Sequence, residues 1–275
     1  MSRKKAQVGL RARTVDHLNA WLIMLPSLVL MLFFVWEPLF ESVVMSLYKT
    51  RNIELMNFIG FFTNPNTVGT LFYSLAIAAV TTIVCVLLAY PLAYILATSH
   101  FRAKSVVVMI FVMPMWINFS LRITALKEVL TFLEGNLAMH PFLNAVIGMS
   151  YDFLPFMILP IYTTISRLDR SLLEAAADLG ADEKTAFWKV TLPLSMPGVI
   201  SGVSMVFLPA MTNYVVLDML YNSTYIMGSL IGSYFSAYNW HGGSMIALIL
   251  LAFICLFTLL TGTGEDDHRR GGSVL

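Results

Sequence analysis

The chain has 275 residues, of which 58% are hydrophobic and only 12% charged, with 17 Met and 19 Phe. A water-soluble domain of this length needs far more polar surface, so the composition points to lipid as the solvent, and a net charge of +1 leaves no basic field for nucleic acid. Cys85 and Cys255 lie inside apolar runs without metal-type or disulfide spacing and read as small buried hydrophobes.

Residues 1–19 form a basic segment with Arg3, Lys4, Lys5, Arg11 and Arg13. The apolar run that follows passes Trp36 and Glu37-Pro38 toward Leu47 without a small-residue cleavage site. That is too long for a signal-peptide core and long enough to span a membrane. Six apolar segments follow one another, at 20–46, 70–98, 105–125, 142–166, 198–220 and 244–262. Each is close to the roughly 20 residues that a bilayer core requires. The expected fold is therefore an all-α membrane protein with about six transmembrane helices. Its transmembrane domain covers 20–262 and a short tail covers 263–275. Pro91, Pro114, Pro155 and Pro160 fall inside spans, where neighbouring helices tolerate kinks. Gly198 and Gly202 stand four apart, either a close-packing face or chance spacing.

Lys and Arg in the loops set orientation. With the N-terminus inside, 13 of the 17 basic residues fall on the cytoplasmic side, leaving Lys49, Arg51, Arg122 and Lys127 opposite. Both termini are expected inside, with an even number of spans. Glu37, Glu41, Glu54, Glu128, Glu134, Asp152 and Asp218 lie on the outer half, which makes the outer mouth net negative.

The connection between the fourth and fifth spans, residues 167–196, is the longest cytoplasmic loop and is patterned. Asp169 or Ser171 can cap a short helix, and Ser171 with Glu174 has capping-box spacing. Leu172, Ala175, Ala176 and Leu179 make an apolar stripe at helical spacing. Gly180 suits a left-handed stop. Asp182 caps a second helix with Glu183 near its start and Lys189 near its end, and Pro193 is expected to stop it. Helices this short are marginal alone in water. The stripe must be covered, either by a partner protein's groove or by the lipid surface.

Glu174-Ala175-Ala176, three residues, Gly180, nine residues, then Val190-Thr191-Leu192-Pro193 resembles the signature loop of bacterial ABC importer permeases. The resemblance implies a type I ABC importer permease fold in the cytoplasmic (inner) membrane. It also implies a coupling helix, in which Glu174, Ala175, Ala176 and Gly180 dock into an ATP-binding subunit and Leu192 and Pro193 fix the exit. Further partners would be a second permease subunit and an extracytoplasmic substrate-binding protein. Pro114-Met115-Trp116-Ile117-Asn118, Leu154-Pro155-Phe156-Met157, and Phe207-Leu208-Pro209 followed by Asp218 are similar to the spermidine/putrescine permeases of that family. That similarity implies a polyamine substrate. The glycine-rich stretch of that pattern after Asp218 is replaced here by Met219 to Tyr225.

A cation leaving water needs fixed negative charge or aromatic faces. Asp218, flanked by Tyr214 and Tyr221, Asp152 beside Tyr151, and Trp116 are the candidate substrate path. Both acids also read as interfacial residues solvated by water or paired with Arg122. No phosphate-binding Gly-rich loop, metal-ligand His spacing or nucleophile constellation occurs. No cofactor and no catalysis in this chain are expected. The competing reading is an ion-coupled secondary transporter, which would want internal repeats and acids at the membrane midplane. An importer of another small solute is the nearer alternative.

Overall fold

The computed structural model describes residue 29 and residues 36–49, 52–53, 56–99, 104–220 and 225–270. The basic N-terminal segment, most of the first expected span and Tyr221 lie outside the described residues. Helix α1 is Glu37–Leu47, followed by a two-residue antiparallel pair, β1 Tyr48–Lys49 and β2 Asn52–Ile53, and α2, Met56–Thr63. The long α3 spans Pro65–Thr98, and α4 is Lys104–Val112, running into a 3-10 turn at Met113–Trp116. Next come α5 (Phe119–Glu134) and α6 (Pro141–Ser166). Short helices α7 (Arg170–Asp178) and α8 (Glu183–Ala186) lead through a π-helical turn, Phe187–Thr191, into α9 (Leu192–Thr212). The chain ends with α10 (Tyr214–Leu220), α11 (Met227–Ser236) and α12 (Trp240–Arg270). Apart from the hairpin, the described fold is all-α, as expected.

Four described helices are long and apolar enough to cross a membrane, or five spans if the bent pair of α4 and α5 counts as one. Helices α3, α6 and α9 form the centre, each packed on the other two, and α12 packs on α1 and α11. Tyr73 meets Phe142 edge-on near the starts of α3 and α6, while Ala97 and Ile165 line one cavity near their ends. These two helices therefore run in the same direction. Helix α9 runs opposite to α6: a Cβ on Gly198 would sit 2.5 Å from Thr164 Oγ1, and one on Gly202 2.6 Å from Met157 Sδ. The two glycines are thus the close-packing face that their spacing allowed. Ala78, Cys85, Ala89 and Ala93 are fully buried on α3, so small side chains bring the helices close on that side too. Ser74 is a packing hydroxyl: it accepts from the Met227 N–H (2.9 Å) and donates to the Thr70 carbonyl.

Several expectations change. The span expected over 105–125 is broken: residues 106–116 and α5 meet at 98°. The span expected over 198–220 starts earlier and ends at Thr212, and Asp218 sits on the separate α10. Helix α12 runs through the boundary at 262 to Arg270. Cys85 is buried as expected, but Cys255 is exposed on the face of α12.

Candidate functional site

Two regions carry the residues singled out by sequence. The first is the loop after α6. Asp169 caps α7, accepting from the Ser171 N–H at 3.0 Å. Ser171 is therefore inside the helix, and the alternative capping box with Glu174 does not form. The helix closes through Gly180 N–H to Ala177 O (2.9 Å) and Ala181 N–H to Ala176 O (3.0 Å), with Gly180 at φ +83°. That left-handed position is why glycine stands there. Asp182 caps α8 by accepting from the Thr185 N–H at 3.1 Å. The Ser171 N–H and then its side chain hold the Asp169 carboxyl below the usual carboxylate range, and Thr185 does the same for Asp182.

Among the described residues, little covers the apolar stripe of this loop. Leu172 and Ala175 are exposed, Ala176 is half-buried, and Leu179 is 88% exposed. Trp188 nearby is 65% exposed. Phe187, its neighbour, points inward and meets the edges of Tyr90 and Tyr94 at 5.9 and 5.1 Å. Tyr90 donates to Ser195 Oγ (2.8 Å), and Ser195 donates to the Leu192 carbonyl. The loop is thus anchored at its exit and bare on its outer side. Pro193 does not stop the helix here. The π-helical turn over Phe187–Thr191 lets the Leu192 N–H reach Phe187 O, and the helix continues through Pro193 into α9. A proline in the first turn of the segment that follows the wide turn costs no hydrogen bond that the turn had not already rearranged.

The second region is the elbow of the broken span. Ile117 is extended, and Asn118 caps α5, accepting from the N–H groups of Ser120 (3.0 Å) and Leu121 (3.4 Å). Pro114 O accepts from the Ile117 N–H at 3.1 Å. Arg122, in the first turn of α5, donates through Nη1 to Pro114 O (3.1 Å) and through Nη2 to Asp152 Oδ1. Asp152 lies near the middle of α6 and is 4% exposed, while Arg122 is 8% exposed. The rings of Phe119 and Tyr151 stand 6.0 and 5.9 Å from the guanidinium carbon. Of the two readings open for Asp152, the geometry matches pairing with Arg122.

Helix α10 packs on α5 and α6. Val216, Leu217 and Leu220 face inward, with Val216 and Leu220 against Gly148 of α6. Tyr214, Val215 and Asp218 lie on the opposite, exposed face. Among the described residues, no ion pair involves Asp218. Trp116 is 74% exposed at the elbow. The breaks at 117–118 and at Asn213 therefore belong to contacting elements. Interrupted backbone at membrane depth is tolerated only where it is buried in protein or lines a water-filled cavity. Trp116 and Asn118 at the first break, and Tyr214 and Asp218 after the second, are each exposed in the described structure. Sequence reading missed both breaks. Asn118 ahead of a helical run is an N-cap signal that marks the first.

A family model described as "Binding-protein-dependent transport system inner membrane component" matches residues 89–263. The chain is 34% identical over 220 residues to the spermidine/putrescine transport system permease protein PotB of Haemophilus influenzae, covering 74% of this chain and 77% of that one. It is 32% identical over 216 residues to the protein of the same name from Escherichia coli, covering 72% and 78%. In fold it is similar to a chain in the crystal structure of a bacterial ABC transporter involved in the import of the acidic polysaccharide alginate. There the TM-score is 0.70, the identity 13% and the coverage 94% of this chain and 98% of the other. It is also similar, with a TM-score of 0.71 and 12% identity, to a chain in the alginate transporter in complex with an alginate pentasaccharide-bound periplasmic protein.

Proposed function

Because this chain belongs to the inner-membrane components of binding-protein-dependent transport systems, we propose that it moves a small organic polycation of the polyamine class, spermidine or putrescine. The observation that carries the substrate is the likeness to PotB proteins named for spermidine and putrescine. The geometry agrees with it in kind. Asp218 is an exposed carboxylate without an ion-pair partner among the described residues, and it shares its face with Tyr214 on α10, which packs on the α5 that begins at the elbow. A carboxylate can pair with an ammonium, and an aromatic face adds about 0.5–2 kcal/mol. Among the described residues, Arg122 is the basic residue of the elbow and Asp152 pairs with it, an arrangement that favours a cationic over an anionic substrate there.

Hydrolysis of ATP belongs to a separate subunit, which docks on residues 167–196 through Glu174, Ala175, Ala176 and Gly180, with Leu192 and Pro193 at the exit. The uncovered stripe from Leu172 to Leu179 supports this reading, because exposed apolar side chains on a rigidly capped helix are what a partner groove covers. A second permease completes the path by facing the elbow and α10, and an extracytoplasmic binding protein delivers the substrate. Both termini are cytoplasmic. Reporter fusions after Lys49 and Lys127 should read outside and one after Lys184 inside, and a reversal at any of them would overturn that orientation. For the substrate, the test is uptake of labelled spermidine and putrescine by the intact system. Asp218→Asn, which keeps shape and removes charge, should lower uptake sharply with complex assembly unchanged. Normal uptake by that variant would remove Asp218 from the path, and no polyamine uptake by the intact system would remove the substrate.

A further inference from the structure

We infer that the buried Arg122–Asp152 pair is a clamp that sets the angle of the elbow and thereby positions Trp116. The backbone at the break has no helical continuity to hold 98°: Ile117 is extended and Asn118 caps only the helix after it. One side chain reaches all three parts. Arg122 belongs to α5, its Nη1 bonds Pro114 O in the last turn of the preceding half, and its Nη2 bonds Asp152 on α6. Its planar, two-pronged head lets it hold both acceptors at once. Phe119 on α5 and Tyr151 on α6 flank the guanidinium, so the clamp has aromatic walls from both helices.

Two ions buried at this depth are costly unless each satisfies the other. Their presence therefore marks a position that packing alone does not hold. The pair also neutralises both charges at the elbow, whereas Asp218 has no ion-pair partner among the described residues. Arg122 and Asp152 are positioning residues: they act through where Trp116, Ile117 and Asn118 are held. That these residues line a translocation path rests on the function proposed above. That the clamp sets their position does not.

The test reads the elbow directly, in the assembled transporter in proteoliposomes. Cys85 and Cys255 are replaced by alanine, Ile117→Cys is introduced, and its rate of reaction with a membrane-impermeant methanethiosulfonate is measured. Adding Asp152→Asn leaves Arg122 as an unpaired buried charge, and the labelling rate should rise roughly 10-fold as the elbow loosens. The charge-swapped pair Arg122→Asp with Asp152→Arg restores the ion pair but not the donor to Pro114 O, so its rate should fall back from the roughly 10-fold level to about threefold above the parent, the partial rescue expected of the pairwise arm of the clamp. An unchanged rate in Asp152→Asn, or a swap no better than the single variant, would overturn the clamp. Where Asp152→Asn does not assemble, Arg122→Lys is read in its place. It keeps the charge but cannot hold Pro114 O and Asp152 together, and its rate should rise about threefold. No change there overturns the clamp equally. Polyamine uptake is measured in the same vesicles: labelling that responds as expected in a system that moves no polyamine removes the substrate reading and leaves the clamp standing.

Discussion

The loop from Asp169 to Thr191 and the elbow from Met113 to Arg122 are both breaks in helical structure, yet they are held in opposite ways. Every hydrogen bond that shapes α7, its turn and the start of α8 joins residues five or fewer apart: Asp169 to Ser171, Ala181 to Ala176, Asp182 to Thr185. Leu172, Leu179 and Trp188 face outward. The elbow is held by a contact between residues 30 apart, and its charges face inward. A segment whose shaping bonds are local takes its turn and caps from its own residues, while its anchor on the bundle holds it in place and leaves its outer apolar side chains uncovered. A joint held by a long-range buried pair has its shape only inside the assembled bundle. The anchor of the loop follows the same division, since Phe187 is fixed by Tyr90 and Tyr94 of a distant helix.

That contrast predicts effects of different kind and size. The largest is expected at Gly180. A Cβ there meets no atom of the described residues within 4 Å, so the strain lies in the left-handed φ of +83°. Holding an L-residue in that region costs about 1–2 kcal/mol, and a bulky one also stands where the proposed docking places the ATP-binding subunit. Gly180→Trp should cut both ATPase co-purification and uptake at least about tenfold, while Gly180→Ala should lose less, by the strain alone. Normal assembly and uptake in Gly180→Trp would mean that the loop lies on lipid and the contrast is wrong.

A smaller and different effect is expected in the central bundle. Gly202→Leu forces side-chain atoms onto Met157 and Pro160. Overpacking of this kind costs about 1–3 kcal/mol. It should lower the melting temperature of the purified transporter while the loop's affinity for an added ATPase subunit stays the same. A parallel loss of docking would show that the loop is not an independent module.

The smallest effect concerns pH. Asp169 and Asp182 both have carboxyls held below their ordinary range by the cap hydrogen bonds. A depressed folded value means that the caps contribute above the ordinary carboxylate range and fade as pH falls through the lowered values. Amide exchange at Ser171 and Thr185 should therefore stay flat, after correction for intrinsic rates, from neutral pH down to about pH 4 and lose protection below it. Asn also caps helices, so Asp182→Asn should keep Thr185 protected and remove the acid-dependent loss there. Loss of protection at the same pH in both would place the titration elsewhere.

The residues themselves determined the loop almost completely. Capping acids, an apolar stripe and a glycine stop act over a few residues, and the same signals are written in the order in which they fold. The membrane class and all-α character followed from composition and segment length, because a bilayer admits few solutions. Only the tertiary structure decided where two of the spans break. Apolar runs over 105–125 and 198–220 satisfy the length rule whether the helix is straight or bent, since hydropathy counts side chains and carries no direction. It also decided that Pro193 sits inside a continuing helix, because a π-helical turn rearranges the bonds that a proline would otherwise interrupt. Above all it decided the state of Asp152. Its sequence neighbours leave it open to water, substrate or Arg122. Which one it meets depends on α5 folding back at the elbow to bring Arg122 beside α6, a consequence of packing between helices that no local pattern encodes.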